Sequence, residues 1–235
     1  MGDAPLIDIA GLVKHYPGQR PLRIARFTLG RLDRIVLSGL DAGGAEGFVL
    51  LVTGASVPDA GDVVVAGRST RDIATDAEWL RSLDRFGLVT ARAVLIEKLP
   101  TAANMALPLT LAIDPVSDDV RRRIEALAEE VELPRPRLDA PAGALTAPER
   151  VRVHLARALA TDPQVLLLER PAEGLDAASA DALGRTVRRV AEARGLAWIA
   201  LSDHRGFARA SGGARRRVHP ETGALVRDWA FWRRG

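Results

Sequence analysis

The sequence predicts an α/β fold built on a mostly parallel sheet with helices on both faces, and three observations carry that prediction. Three short apolar segments, RIVLS (34–38), QVLLLE (164–169) and AWIALS (197–202), read as buried parallel strands. Stretches of helical period lie between them. The run VLSGLDAGGAEGFVLLVTG (36–54) passes from strand through a glycine-rich loop into a helix, the order in which a fold of this class carries an anion at a helix N-terminus.

In chain order, residues 5–30 together with the turn and strand VPDAGDVVVAG (57–67) suggest an antiparallel layer on the N-terminal side. Between 93 and 144 the sequence is punctuated by proline, rich in helical pattern and without a buried strand. It reads as a helical subdomain inserted into a core made of 1–92 and 145–235. Within it DDVRRRIEALAEEVE (118–132) sets Val120, Ile124, Leu127 and Val131 on one face, and Ser117, Asp118 and Asp119 stand where capping and the helix dipole favour them. PERVRVHLARALA (148–160) and ASADALGRTVRRVAEAR (178–194) are the helices of the C-terminal half. The 235 residues make one domain, long enough to bury a core.

Composition narrows the function. There is no cysteine, so disulfide, thiolate and Cys-zinc chemistry are out, and the 4 histidines show no metal spacing. No apolar run reaches membrane-spanning length and MGDAPLIDIAG lacks the features of a signal peptide, so the expected location is cytoplasmic. Net charge is only +3, and of the 33 basic residues just Lys14 and Lys98 are lysines. The arginine runs at 121–123 and 215–217 read as solvated faces rather than a nucleic-acid surface, while the tail RDWAFWRRG (227–235) suits contact with a membrane-bound partner or anionic headgroups.

Four ordered blocks then make the sequence recognisable: LSGLDAGGAEGFVLLVTGASVPDAGDVVVAG (37–67), LPTAANMALPL (99–109), LTAPERVRVHLARALATDPQVLLLERPAEGLD (145–176) and LSDH (201–204). From end to end the chain resembles the ATPase subunits, or nucleotide-binding domains, of ATP-binding cassette (ABC) transporters. That resemblance implies a P-loop NTPase (RecA-like) core, ATP and Mg²⁺ as cofactors, a second ATPase subunit paired head to tail, and a membrane permease that holds the pair on the inner face of the cell membrane.

The positions that carry the chemistry of the family are altered. A P-loop reads G-x-x-x-x-G-K-[ST], its lysine reaching the β- and γ-phosphates and its hydroxyl the metal. Here the frame Gly39, Gly43, Gly44 is followed by Ala45 and Glu46, then Gly47. A carboxylate about 4 Å from a phosphate charge, at an effective dielectric near 20, costs roughly 4 kcal/mol. The loop amides and helix dipole at 44–48 are expected to remain as anion donors. At the end of the Walker B strand Glu169 keeps a carboxylate, but Arg170 replaces the glutamate that polarises water, and a guanidinium is no general base. The Q-loop position is Ala91. The signature segment is Leu145, Thr146, Ala147, Pro148 and Glu149, and Pro148 offers no N–H to a phosphate although it suits the first turn of a helix. His204 and Asp176 match the H-loop and D-loop. Tyr16 falls at the aromatic that stacks on adenine, or is a turn residue in HYPG, and His204 is either catalytic or a structural helix cap. No metal site is assigned.

Because the P-loop and Walker B lie close together in this family, Glu46 and Arg170 form a reciprocal charge exchange, and a salt bridge between them is expected to fill the space of metal and γ-phosphate. Three functions fit: a degenerate cassette serving a transporter as a structural or regulatory subunit, an active transport ATPase with atypical motifs, and a non-transport adaptor using the family's dimer surface.

Overall fold

The computed structural model describes residues 4–90, 92–113 and 115–227. The Q-loop position Ala91 and most of the arginine-aromatic tail lie outside the described residues.

The N-terminal half lays down β1 (Ile7–Lys14), β2 (Leu22–Leu29), β3 (Arg34–Ser38), α1 (Ala42–Val52), β4 (Ala60–Val65), β5 (Arg68–Ser69), α2 (Asp76–Leu83) and β6 (Phe86–Val89). Next come α3 (Thr101–Ala106), α4 (Asp118–Glu130), two single 3₁₀ turns, α5 (Ala147–Leu159) and β7 (Val165–Glu169). The last described elements are α6 (Ala177–Arg194), β8 (Ala197–Leu201), α7 (Arg205–Ala210), β9 (Ala214–Val218) and β10 (Leu225–Arg227). Strands β2-β1-β4-β5 form an antiparallel sheet, the layer expected from 5–30 and 57–67. The second sheet runs β10-β9-β3-β8-β7-β6, parallel except for β10 at its edge. The three strands expected from apolar runs are adjacent at its centre.

Alternation explains why they are central. Val36, Leu166, Leu168, Trp198 and Ala200 face one core with α4, α5 and α6, while Ile35, Leu37, Val165, Leu167, Ile199 and Leu201 face another with α1 and the antiparallel layer. A strand with period-two side chains buried on both faces must sit inside a sandwich of layers. Between β6 and α5 no described residue joins either sheet; Ile124, Leu127 and Val131 bury the expected face of α4. Ser117 takes the N-cap position there, but its hydroxyl makes no capping bond. The C-terminal ends of β3, β6, β7 and β8 open on one edge, where an α/β sheet carries its site.

Candidate functional site

The loop after β3 is shaped by glycine and closed by acids of the chain itself. Gly39 has φ +84°, and a Cβ there would lie 2.8 Å from the Val218 carbonyl, so no other residue fits. Its N–H donates to Asp203 Oδ1 at 3.0 Å. Asp41 caps α1, accepting the Gly44 N–H on Oδ1 at 2.7 Å, while the Ala45 N–H donates to the Asp41 carbonyl at 2.9 Å. The expectation of free loop amides from position 44 onward is therefore corrected. The helix begins at Ala42, so the chain's own carboxylate and carbonyl take the first donors of that stretch.

The flanks of the loop are covered as well. Gln19 Oε1 lies 2.4 Å from where a Cβ on Gly43 would be, and Tyr16 Oη lies 2.5 Å from the corresponding point on Gly47. Tyr16 thus rests on the glycine face of α1. Its buried hydroxyl has no hydrogen-bond partner, and burial first, then the charges of Glu46 and Asp59, push its pKa up. Ala45 is buried in the core with Phe48, which explains a methyl at that position.

The charge pattern differs from expectation, and the Glu46–Arg170 salt bridge does not form. Glu46 pairs with Arg92 Nη1, and Arg92 Nη2 donates to Glu169 Oε2 at 2.7 Å. Arg170 instead pairs with Glu173, three residues on. The reason is local. Arg170 has φ +49°, and its N–H is held by the Leu201 carbonyl at 3.0 Å, which fixes the chain as it turns off β7. A partner three residues away then costs less ordering than one across the cleft. Arg170, Glu173, Leu40, Asp203 and His204 line a cavity of about 240 Å³ beside the loop.

His204 is the N-cap of α7, its Nδ1 accepting the Phe207 N–H at 3.3 Å. Thr146 caps α5, with Ala147 and Pro148 in its first turn, and Glu149 Oε2 accepts from the Thr146 N–H and hydroxyl, both at 2.9 Å. Arg137 Nε adds a bond to Glu149 at 2.7 Å. Burial acts to raise the Glu149 carboxyl, but the two Thr146 bonds and Arg137 hold it below the usual range. Leu145 is buried just before the cap. Asp176 caps α6 through the Ser179 N–H at 2.7 Å, the bond that chiefly lowers its pKa. Among the described residues neither segment shares a hydrogen bond or ion pair with 39–47, and no cluster of three or more acids or histidines could hold a metal ion.

Sequence reasoning missed Asp41, Asp203, Gln19 and Arg92. Asp41 stands three residues before Gly44, the N-cap spacing, and was legible on that ground. The others reach the loop only through tertiary structure.

Residues 22–173 match the sequence profile of the family described as ABC transporter. The chain belongs to that family. It is a nucleotide-binding domain by descent, and the P-loop NTPase fold is present. This cassette is 31% identical over 209 residues to the lipoprotein-releasing system ATP-binding protein LolD of Alcanivorax borkumensis, covering 87% of the chain and 90% of that relative. It is 30% identical over 186 residues to the macrolide export ATP-binding/permease protein MacB 1 of Aeromonas hydrophila, 77% of the chain but 28% of that larger protein. The dimeric structure of MJ0796, a bacterial ABC transporter cassette, superposes with a TM-score of 0.76 at 21% identity, covering 94% of this chain and 97% of that one; this bears on the fold alone. No helix among the described residues is long and apolar enough to cross a membrane.

Proposed function

We propose that this cassette is a structural or regulatory subunit of an ABC transporter complex that does not turn over ATP. The observation that carries the reading is that the cradle is already filled from within: Asp41 and Asp203 take the Gly44 and Gly39 amides, and Arg92 sits between Glu46 and Glu169. Mg-ATP does not fit these residues as they stand. The lysine position is a buried methyl, the hydroxyl position an ion-paired carboxylate, and the position of the water-polarising acid a guanidinium. No catalytic step is assigned to the chain.

The partners that fit are a permease, which would hold the cassette at the inner face of the membrane, and a second cassette. In a head-to-tail pair one composite site would use 39–47 of this chain and the other its 145–149, where Pro148 lacks a donor. Pairing with an intact partner therefore leaves neither site whole. The names of the relatives, ATP-binding proteins of export and import systems, favour the second reading, an active ATPase with atypical motifs.

A titration with ATP, with and without Mg²⁺, separates the two. The wild-type chain is expected to show no saturable binding below about 1 mM, the weak end of specific affinity. A variant carrying Ala45→Lys, Glu46→Ser, Arg92→Gln and Arg170→Glu is expected to bind. Sub-millimolar binding or phosphate release by the wild type overturns the proposal.

A further inference from the structure

We propose that Arg92 is a built-in cation standing in for the missing metal-nucleotide, pinning the segment that leads from β6 to α3 onto the core without any ligand. The inference rests on the non-hydrolysing reading above and adds a mechanical consequence to it.

All three guanidinium nitrogens of Arg92 are engaged. Nη1 meets Glu46 on α1, Nη2 meets Glu169 at the end of β7, and Nε lies 3.3 Å from Thr90 Oγ1, which also accepts the Arg92 N–H at 3.2 Å. Thr90 thus aims the side chain, and the fork joins three elements separated by 46 and 77 residues. Glu169 is only 11% exposed at its side chain, and among the described residues neither Glu46 nor Glu169 has another cationic partner. A carboxylate that far out of water needs a counter-charge, and arginine is the side chain whose planar fork serves two acids together. The far end of the segment is pinned too. The buried Asn104 of α3 accepts the Ile96 N–H at 2.7 Å and donates to the Ile96 carbonyl at 3.1 Å, while Arg157 of α5 holds the Val94 carbonyl at 3.2 Å. The chain from 92 to 96 is therefore tied at one end by the Arg92 ion-pair fork and at the other by the Asn104 amide and the Arg157 guanidinium, and only the Arg92 end is held by paired carboxylates.

Hydrogen exchange by mass spectrometry on the full chain tests the pin, and Mn²⁺ binding tests the cation mimicry. In the wild type, peptides covering 92–98 are expected to exchange slowly, whether or not Mg-ATP is added. Arg92→Gln should speed their exchange by about tenfold while β3, β7 and β8 keep wild-type protection, a local opening rather than unfolding. Arg92→Lys should recover only part of the protection, because an ammonium cannot fork. Mn²⁺ followed by electron paramagnetic resonance should bind Arg92→Gln about tenfold more tightly than wild type, since one positive charge has left two carboxylates. Wild-type exchange in Arg92→Gln, or equal Mn²⁺ affinity in the two proteins, overturns the proposal. Saturable Mg-ATP binding by the wild type, read in the separate titration, overturns the non-hydrolysing reading instead.

Discussion

His154 gives the cassette a stability that begins to fall with pH above the range where carboxylates titrate. It lies on α5, eight residues beyond the Thr146 cap, between Arg150 and Arg157 on neighbouring turns, and its buried Nδ1 has no hydrogen-bond partner. Burial first, then those two guanidinium charges, lower its pKa from 6.5 to about 4. Between these values the unfolded chain takes up a proton that the folded chain refuses, so stability is complete above about 6.5 and is lost as pH falls toward 4. At about 1.4 kcal/mol per pH unit the interval amounts to about 3 kcal/mol, and partial exposure of the ring trims this to about 2. Urea unfolding of the wild type and of His154→Gln at pH 7.5 and 4.5 measures it, because the carboxylates titrate alike in both and cancel in the difference. The wild type is expected to lose about 2 kcal/mol more than the variant over that range. Parallel losses in the two proteins would refute a buried neutral imidazole on α5.

Two further outcomes check the loop. Asp41→Ala removes the cap of α1 and should lower the unfolding free energy by about 1 kcal/mol in a urea titration, with Asp41→Asn near wild type; equal stability of all three would mean that the carboxylate does not hold the Gly44 amide. Gly47→Ala places a methyl 2.5 Å from Tyr16 Oη, so the ring must leave α1. Since Tyr16 is the only tyrosine, its ultraviolet titration should shift back toward the ordinary value of 10 as stability falls by about 1–3 kcal/mol, and an unshifted titration would place the ring elsewhere.

Legibility in the sequence follows from where the information resides. β3, β7 and β8 were readable because both faces are buried and their inner residues, Ile35–Leu37, Val165–Leu168 and Ala197–Leu201, are apolar. β9 was not: its sequence ARRRV reads as a charged run, yet Arg215, Arg216 and Arg217 pair along β3 in parallel register. Strand character there comes from the neighbour, as β-propensity often does. β6, four residues long, was likewise hidden. The altered loop was readable as far as its own frame goes, whereas the groups that close it arrive from the ends of β6 and β8 and from the turn after β1.

The failed pairing of Glu46 with Arg170 shows why a charge exchange read from a motif need not become a contact. Motif register says that two groups share a cleft, but not which way each backbone delivers its side chain. Arg170 is committed by its positive φ and by the Leu201 carbonyl before its guanidinium finds a partner, and Glu173 is already within reach. Glu46 projects from α1, a helix whose face is fixed by Ala45 and Phe48 in the core, so its carboxylate meets whatever cation the strand ends supply. That cation is Arg92, which Glu169 needs as well. The resulting group of Glu46, Glu169 and Glu173 against Arg92 and Arg170 carries three negative charges and two positive. A lone Arg170→Glu exchange would add two more units of negative charge beside Glu173, so the acid can return to the end of β7 only if Glu46 leaves with it.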